Sequence, residues 1–424
     1  MPHQLVFIRT YGCTYNHADS DTLAGVLAAA GYRIAEREED AGVIVINTCT
    51  VKGATEQKTL EKIKSLVASK TPFVICGCLS EANPALVRKY APAAPFVGTR
   101  SLSRIPIAIE AALARAPSDS LAACDENKFS LPRVHGSVFA RIPLAEGCLG
   151  ACAYCQTKRA RGALKSYPPG DIVREVERCV QNGSREIQLT AQDTGAYGFD
   201  IKTDLPSLIN RISAIEGEFR VRVGMINPEH ALRLLPELLD AYDSEKVYKF
   251  LHIPVQSGSD RVLRDMRRNY TIDDALNVIR AFRKRFPDST IATDIIVGYP
   301  TETEADFHRT LALLKKAKFE VVNVSKFTPR PFTPAAQLTQ LPNQLMKRRS
   351  RETAVLCKSI SLEANEKLIG RKFRVLVTEQ QRKGFSGRTD AYRQVALAGQ
   401  QTLGTVKTCR IASATHSYLV ASCA

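Results

Sequence analysis

Residues 138–155 read VFARIPLAEGCLGACAYC, an apolar run that leads directly into a loop with three cysteines. The run Val138–Pro143 has the composition of a buried strand, and Cys148, Cys152 and Cys155 follow it at the spacing Cys-x3-Cys-x2-Cys. Three thiolates on one short loop can hold a four-iron cluster and leave one iron open to another ligand. The loop therefore predicts an open, catalytic iron–sulfur site. A zinc site is the alternative, although no second Cys or His pair follows at zinc-finger spacing.

Strand and helix patterns alternate from the cysteine loop to about residue 362. The strand candidates after Val138–Pro143 are Glu186–Thr190, Arg220–Ile226, Tyr248–Pro254, Thr290–Val297 and Val321–Lys326. Six strand–helix units predict a partial (β/α)6 barrel domain over residues 136–362. In such a barrel the loop after the first strand lies at the mouth formed by the carboxyl ends of the strands.

The N-terminal segment, residues 1–115, predicts a separate α/β domain with a parallel sheet. Its strand candidates are Gln4–Arg9, Gly42–Asn47 and Pro72–Cys76. Cys13, Cys49 and Cys78 each come just after one of these strands. Residues beyond the carboxyl ends of parallel strands converge on one crevice, so we expect a second set of three thiolates there. The alternative for each cysteine is ordinary packing as a small apolar side chain.

Two further segments complete the predicted organisation. Residues 116–135 lack periodicity and carry helix breakers at both ends, which predicts a linker. Residues 363–424 contain short alternating runs and predict a small β-barrel. Ten Lys and Arg residues against three acidic residues over 365–424 favour RNA binding by this barrel, and a β domain without an RNA role is the alternative.

Composition supports a partner that is a polyanion. Lys and Arg number 59 against 43 Asp and Glu, which gives a net charge of +16 over 424 residues. The 12 cysteines are unevenly grouped, which indicates a reducing, cytoplasmic environment more than a disulfide scaffold. No apolar run approaches the ~20 residues that span a bilayer, so we expect no membrane association.

Taken together, these features resemble the radical S-adenosylmethionine (SAM) superfamily and, within it, the methylthiotransferases. The resemblance covers nearly the whole chain, because the three segments match an N-terminal cluster domain, a radical SAM core and a C-terminal TRAM domain. The stretches that carry it are YGCTYNHADSD (11–21), NTCTVKGATEQ (47–57), GCLGACAYCQTKRARG (147–162), LTAQDTGAYGFD (189–200), RVGMINPEH (222–230), IPVQSGSDRVLRDMRRNY (253–270), DIIVGYPTETEADF (294–307) and KFTPRPFTPAA (326–336).

Three of these stretches are most similar to the archaeal and eukaryotic branch of the family: NTCTVK, AQDTGAYGFD and GMINP. That branch acts on N6-threonylcarbamoyladenosine at position 37 of tRNA, beside the anticodon. Its eukaryotic members end in a hydrophobic anchor, which the terminal sequence SYLVASCA does not provide. We therefore expect a soluble protein of archaeal or bacterial type.

The resemblance implies two [4Fe-4S] clusters. The cluster on Cys148, Cys152 and Cys155 would bind SAM and reduce it to a 5′-deoxyadenosyl radical, which takes hydrogen from C2 of the modified adenine. The auxiliary cluster, on the three upstream cysteines Cys13, Cys49 and Cys78, would hold or supply the sulfur that a second SAM methylates. The resemblance also implies the tRNA anticodon loop as substrate, an electron donor such as flavodoxin or ferredoxin, and a monomer.

Individual contacts are expected at later strand ends and in the C-terminal barrel. The candidates for SAM, each with a structural cap as its alternative, are Gln192, Asp193, Gln256, Ser257, Asp294 and Gly298, the last leaving room for an adenine. The candidates for RNA are Arg159, Arg161, Lys372, Arg374, Lys383 and Arg388, with stacking from Phe373, Phe385 and Tyr392. The candidates for hydrogen bonds to the auxiliary cluster are Asn16, Asn47 and Thr48. Phe332 stands where family members often have a small residue, which would reshape the wall on the substrate side.

Three other functions stay open at this point. The protein could be a methylthiotransferase acting on isopentenyladenosine in tRNA or on a ribosomal protein. A different class is a non-catalytic iron–sulfur protein that binds RNA. That last protein would not cleave SAM under reducing conditions.

Overall fold

The computed structural model describes residues 4–50, 53–116, 118–120 and 126–423. Its N-terminal part is a six-stranded parallel sheet in the order β2-β1-β3-β4-β5-β6. The strands are β1 (Leu5–Thr10), β2 (Arg33–Ile34), β3 (Val43–Thr48), β4 (Phe73–Gly77), β5 (Phe96–Val97) and β6 (Asp119–Ser120). The helices are α1 (Thr14–Ala29), α2 (Gly53–Ala68), α3 (Cys78–Ala82), α4 (Pro84–Tyr90) and α5 (Ile105–Leu113).

The central strand β3 explains why this part folds as a sheet covered on both faces. All six of its residues are buried, as a parallel strand between two helical layers requires. Successive side chains point to opposite faces, so Val43 and Val45 pack with residues of α1 and α5, while Ile44 and Ile46 pack with residues of α2. The segment expected to be a linker contributes β6, which pairs with β5 at the edge of this sheet.

The second part is the expected parallel α/β barrel, and it is open. Its strands are β7 (Phe139–Pro143), β8 (Ala145–Glu146), β9 (Lys165–Ser166), β10 (Glu186–Thr190), β11 (Arg220–Val223), β12 (Phe250–His252), β13 (Thr290–Val297) and β14 (Val321–Lys326). Two parallel sheets, β7-β10-β11 and β12-β13-β14, carry the six predicted strands, whereas β8 and β9 form a short antiparallel pair. A bridge between Val221 and Val247, together with the 2.8 Å hydrogen bond from the Ile226 N–H to the His252 carbonyl, joins the two sheets.

Helices connect the strands of this part. They are α6 (Thr157–Arg161), α7 (Pro169–Gln181), α8 (Leu205–Ser213), α9 (Pro228–Arg233), α10 (Leu235–Tyr242), α11 (Asp260–Asp265), α12 (Ile272–Arg285) and α13 (Glu304–Ala317). The 24-residue helix α14 (Asn343–Glu366) follows and packs along α13 and β14. Its first turn lies against the end of β13, where a Cβ on Gly298 would come within 2.5 Å of the Met346 Cγ.

The C-terminal part is a closed five-stranded barrel in the order β15-β16-β17-β19-β18. The strands are β15 (Lys372–Gln380), β16 (Phe385–Thr389), β17 (Gln394–Leu397), β18 (Val406–Ala414) and β19 (Leu419–Cys423). Tyr392 docks this barrel, because its ring lies 4.8 Å from that of Tyr248 and its hydroxyl donates to Glu186 Oε1 at 3.2 Å. Glu186 begins β10, so the C-terminal barrel sits at the amino ends of the parallel strands of the second part, opposite the cysteine loop.

None of the helices within the described ranges combines the length and apolar character that a bilayer-spanning helix needs.

Candidate active site

The cysteine loop follows β8 at the mouth of the open barrel. Gly147 begins it with φ +81°, and a Cβ there would lie 2.0 Å from the Ala163 carbonyl oxygen, so only glycine fits. The sulfurs of Cys148 and Cys152 both face Gly150, because a Cβ on that residue would lie 3.5 and 3.6 Å from them. Cys155 joins them through the 3.1 Å bond of its N–H to the Cys152 carbonyl. The three cysteines therefore lie together on one short loop, with the sulfurs of Cys148 and Cys152 on the same side of it.

Hydrogen-bond donors surround these sulfurs. The Gly150 N–H lies 3.3 Å from Cys148 Sγ, and the Thr157 N–H lies 3.4 Å from Cys155 Sγ. Arg268 donates through Nη1 to Cys152 Sγ at 3.3 Å and through Nη2 to Asn227 Oδ1 at 2.9 Å. Such donors stabilise thiolates over thiols, which suits sulfur that ligates a metal.

The three upstream cysteines meet at the carboxyl edge of the N-terminal sheet. Cys13 is the N-cap of α1, Cys49 follows β3, and Cys78 is the first residue of α3. A Cβ on Gly12 would lie 2.9 Å from Cys49 Sγ. The Asn16 Oδ1 lies 3.7 Å from Cys13 Sγ and 3.6 Å from Cys78 Sγ. The structure therefore brings together three cysteines that the sequence separates by up to 65 positions.

The donors expected to reach these sulfurs bond oxygen atoms instead. Asn16 Nδ2 donates to the Thr48 carbonyl at 2.7 Å, Asn47 Nδ2 to the Asn16 carbonyl at 2.7 Å, and Thr48 Oγ1 to the Cys76 carbonyl at 2.6 Å. These bonds fasten α1, β3 and β4 to one another around the trio. The expectation of hydrogen bonds to sulfur from these three side chains is therefore wrong, since their donors are already engaged.

Arg161 is the group that reaches the upstream trio. It lies at the end of α6, directly after the cysteine loop, and its side chain is 1% exposed. Nε donates to Cys78 Sγ at 3.2 Å and Nη2 to Asn16 Oδ1 at 3.0 Å. Nη1 forms ion pairs with Asp19 at 2.6 Å and with Glu146 at 3.1 Å. The expected RNA contact of Arg161 is wrong, because the guanidinium is buried and its donors are engaged within the protein.

A second cation completes this buried network. Lys128, from the segment expected to be a linker, lies 2.9 Å from both Asp19 Oδ1 and Glu146 Oε1. Its side chain is 2% exposed. Two cations thus balance two carboxylates where the N-terminal sheet meets the barrel mouth.

Both trios fit iron–sulfur clusters by the chemistry of their donors. Burial raises the pKa of Cys148 to about 11 and that of Cys78 to about 12, so neither thiol ionises on its own at neutral pH. A metal deprotonates the thiols that it binds, and iron–sulfur clusters are held by such cysteine thiolates. The Arg161 guanidinium beside Cys78 and the Arg268 guanidinium beside Cys152 supply positive charge to each trio.

Gln192 and Asp193 lie at the barrel mouth, and they differ in whether their side-chain oxygens have hydrogen-bond partners. The Gln192 Oε1 is buried and has no hydrogen-bond partner among the described residues, which leaves it available to a ligand. Asp193 is already engaged. Its Oδ1 accepts the N–H groups of Gly195 at 3.0 Å and Asn227 at 3.1 Å, and its Oδ2 lies 2.8 Å from His230 Nδ1. Asp193 therefore acts as the structural cap that was its alternative role.

The remaining SAM candidates lie on β13 and on the loop after β12. Asp294 Oδ2 pairs with His252 Nε2 at 2.7 Å, an interaction that sequence reasoning missed. Gln256 adopts φ +70° and bridges to Ile295, which turns the chain beside the barrel interior. Ser257 is fully buried, and its hydroxyl oxygen accepts the Ser259 N–H at 3.2 Å.

Gly298 does not leave space for a nucleobase. A Cβ there would lie 2.5 Å from Met346 Cγ, and the Gly298 N–H donates to Glu302 Oε2 at 2.7 Å. The glycine is needed for the packing of α14 and for its φ of +76°. The expectation that it admits an adenine is therefore wrong.

The RNA candidates fall at two ends of the molecule. Arg159 is exposed on α6, near the cysteine loop. Lys372, Arg374 and Lys383 are exposed on the C-terminal barrel, where Arg374 lines a cleft of about 850 Å³ against the barrel domain. Arg388 is half-buried and stacks 4.7 Å above the Tyr392 ring.

The aromatic rings expected to stack on RNA in the C-terminal barrel are largely covered. Phe385 is only 6% exposed in the barrel core, and Tyr392 packs on Tyr248 and Phe250. Phe373 is half-buried and packs against the same barrel core. Phe385 and Tyr392 are therefore not stacking surfaces, because folding and docking already bury them.

Two family models and a solved structure match this chain. The radical SAM superfamily matches residues 142–314, and uncharacterized protein family UPF0004 matches residues 5–98. A solved radical SAM methyltransferase, TsrM from Kitasatospora setae, has a TM-score of 0.57 at 14% identity, over 78% of this chain and 75% of that one. At that identity the likeness shows the fold alone.

Full-length relatives give the family. The probable threonylcarbamoyladenosine tRNA methylthiotransferase of Pyrococcus horikoshii is 42% identical over 98% of each chain, and that of Archaeoglobus fulgidus is 43% identical over 98% of this chain and 97% of its own. The threonylcarbamoyladenosine tRNA methylthiotransferase of Homo sapiens is 37% identical over 92% of this chain and 69% of its own. Identity of this level along the whole chain means that the protein belongs to the threonylcarbamoyladenosine tRNA methylthiotransferase family of radical SAM enzymes.

Proposed function

We propose that this protein adds a methylthio group to C2 of N6-threonylcarbamoyladenosine at position 37 of tRNA. The observation that carries the proposal is the meeting of two three-thiol sites at one junction. Arg161 follows the cysteine loop in sequence and donates to Cys78 of the other trio at 3.2 Å. A methylthiolation needs a group that activates an unreactive carbon and a group that delivers sulfur, and two adjacent sulfur-rich sites supply places for both.

In this proposal each trio holds one [4Fe-4S] cluster. Cys148, Cys152 and Cys155 would hold the cluster that binds SAM, and Cys13, Cys49 and Cys78 would hold the auxiliary cluster. A [4Fe-4S] cluster with an open iron supplies, together with SAM, the radical chemistry that activates a C–H bond. The protein positions these groups and excludes water from them.

The chain's own side chains have defined tasks around these sites. Arg268 orients Cys152 by holding it and Asn227 at once, and Arg161 balances the charge of Cys78. The unpartnered Gln192 Oε1 is an acceptor for an N–H or O–H group of bound SAM. Asp294, Gln256 and Ser257 are proposed SAM contacts at the same mouth.

The remaining assignments are also part of the proposal. Exposed Arg159, Lys372, Arg374 and Lys383, with half-buried Arg388, would contact tRNA phosphates, and the excess of positive charge supports such contacts. We propose a cytoplasmic monomer that receives electrons from a flavodoxin or ferredoxin. The N-terminal domain would span residues 1–115, the radical SAM domain 136–362 and the TRAM-like domain 363–424, with a connecting segment between the first two.

The proposal is tested with anaerobically reconstituted protein and tRNA that carries threonylcarbamoyladenosine. We expect about eight iron atoms per chain in the wild type and about four in either triple Cys→Ala variant, since each trio would hold one four-iron cluster. Nucleoside mass spectrometry should detect the 2-methylthio product with the wild type and with the control variants, but with neither triple variant. Cys76→Ala and Cys179→Ala are matched controls, because both cysteines are buried outside the two trios.

Three results would contradict the proposal. One is the loss of the upstream trio with no change in iron content or product. Another is methylthio product on isopentenyladenosine or on a ribosomal protein instead, which would reassign the substrate. The third is the absence of SAM cleavage under a strong reductant, which would indicate a non-catalytic iron–sulfur protein.

A further inference from the structure

Phe332 is an aromatic side chain that the fold presents to solvent. Phe332 is 67% exposed, and its backbone has φ +65°. Exposing a phenyl ring forgoes the free energy of its burial, and a bulky residue is rarely found in the left-handed region. Within the described ranges the only other exposed aromatic residue among the large hydrophobics is Tyr418, at 39%.

The loop around Phe332 is fixed on both sides. The preceding Pro331 carbonyl accepts the side-chain N–H of Gln156 at 2.6 Å. The following Thr333 donates its hydroxyl to the Arg330 carbonyl at 2.7 Å, and buried Arg330 pairs with Glu56 at 2.9 Å. The ring therefore projects from a turn that is held by hydrogen bonds and an ion pair on both sides, so the structure of the loop keeps it exposed.

Arg159 covers one face of the ring. Its guanidinium carbon lies 4.0 Å from the centroid of Phe332, within the range of a cation–π contact. Nε of Arg159 also donates to the Ala82 carbonyl at 2.8 Å, which fixes the guanidinium in place. Because the cation occupies one face, the other face is the one that a flat partner would use.

The pair lies where the two thiol sites meet. Gln156, which holds the Phe332 turn, follows Cys155 directly. Ala82, which holds Arg159, ends the short helix that begins at Cys78. One side of the pair is thus tied to the cysteine loop and the other to the helix of the auxiliary trio.

We propose that Phe332, backed by Arg159, is a stacking platform for an unpaired base of the tRNA anticodon loop beside the target nucleoside. This inference rests on the proposed function and names a substrate contact for that same site. Single-stranded RNA is recognised by stacking of splayed bases on aromatic rings and guanidinium planes, whatever the base. The positive charge of Arg159 also suits the neighbouring phosphates.

The platform is tested by the binding of a threonylcarbamoyl-modified anticodon stem-loop to the cluster-loaded, full-length protein. We expect Phe332→Ala to raise Kd at least about tenfold, the order of effect of losing one base–aromatic stack, and Phe332→Tyr to stay close to the wild type. Stem-loops with 2-aminopurine at each unpaired loop position in turn should show quenching by the wild type at one position, and Phe332→Ala should abolish it. Ile107→Ala, which truncates a 60% exposed apolar residue on α5, is the matched control.

Iron content and SAM cleavage without tRNA separate a binding role from a structural one. We expect both to be unchanged in Phe332→Ala. A variant that loses iron together with affinity, or one that binds and quenches like the wild type, would overturn the platform. Wild-type protein that produces methylthiolated tRNA while Phe332→Ala performs equally well would reject the platform alone, whereas wild-type protein without product would reject the proposed function.

Discussion

Replacing Arg161 with glutamine removes a buried cation that follows the cysteine loop in sequence and donates to Cys78 of the upstream trio. In the wild type, Arg161 and Lys128 balance the carboxylates of Asp19 and Glu146, with ion-pair distances between 2.6 and 3.1 Å. All four side chains are at most 8% exposed. The variant retains two carboxylates and one cation, so one negative charge is left without compensation inside the protein. It also loses the donor to Cys78 Sγ.

Removing one partner of a buried ion pair costs about 3–5 kcal/mol, mostly because the other charge stays buried and unpaired. Since Lys128 still neutralises one carboxylate, we expect a loss near the lower limit, about 3 kcal/mol in the free energy of unfolding. The uncompensated charge lies beside the upstream trio and disfavours further thiolates there. Iron content should therefore fall toward that of a single four-iron cluster.

The measurements are chemical denaturation and iron and sulfide analysis of anaerobically reconstituted protein. Arg161→Lys should lie between the variant and the wild type, because it keeps the charge but cannot bond Asp19, Asn16 and Cys78 together. Arg37→Gln breaks an exposed pair with Asp40 and should change neither quantity. An Arg161→Gln protein as stable as the wild type, with iron for two clusters, would refute the reasoning.

Three further predictions concern other parts of the molecule. Burial alone would raise the pKa of Glu175, but hydrogen bonds from His135 and Arg178 lower it to about 2. The ionised carboxylate therefore stabilises the protein fully above about pH 4.5. This stabilisation is lost as the pH falls toward 2. Glu175→Gln should lower Tm at pH 7 and flatten the decline of Tm over that range, and an unchanged acid profile would contradict the assignment. Tyr392→Ala should weaken docking of the C-terminal barrel by about 2–3 kcal/mol, which limited proteolysis would detect as faster release of that barrel. Release at the wild-type rate would show that the aromatic contact is dispensable. Affinity for tRNA should fall steeply with salt concentration in filter-binding assays, and binding that is independent of salt would argue against phosphate contacts.

The main elements could be predicted from sequence because their signals are local. The apolar run around Val43 reads as a doubly covered strand, and the structure has one there. The end of each such strand then locates Cys13, Cys49 and Cys78, because parallel strands place their carboxyl ends on one edge. The boundaries of β11 and β12 were less predictable: β11 is shorter than expected at its carboxyl end, and β12 is shorter at both ends.

The partners of the site residues could not be predicted, because they depend on packing between distant segments. Arg161 bonds Asn16 across 145 positions of sequence, and Lys128 reaches Asp19 across 109. A glycine such as Gly298 looks the same in the sequence whether the space beside its Cα is filled by a ligand or by a methionine side chain. Only the placement of α14 shows that Met346 occupies that space.

The position of the C-terminal barrel has a consequence for the size of the substrate. Helix α14 begins beside Gly298 at the barrel mouth, and its end contacts the C-terminal barrel through the bond from Asn365 Nδ2 to the Thr415 carbonyl. The 19 residues from Met346 to Asn365 span roughly 28 Å at 1.5 Å per residue. If the C-terminal barrel holds RNA as proposed, an RNA that is also modified at the cysteine loop would have to bridge that length. A folded stem-loop could do so and a free nucleoside could not, so on this proposal the two ends of the protein would select a structured RNA before any base is recognised.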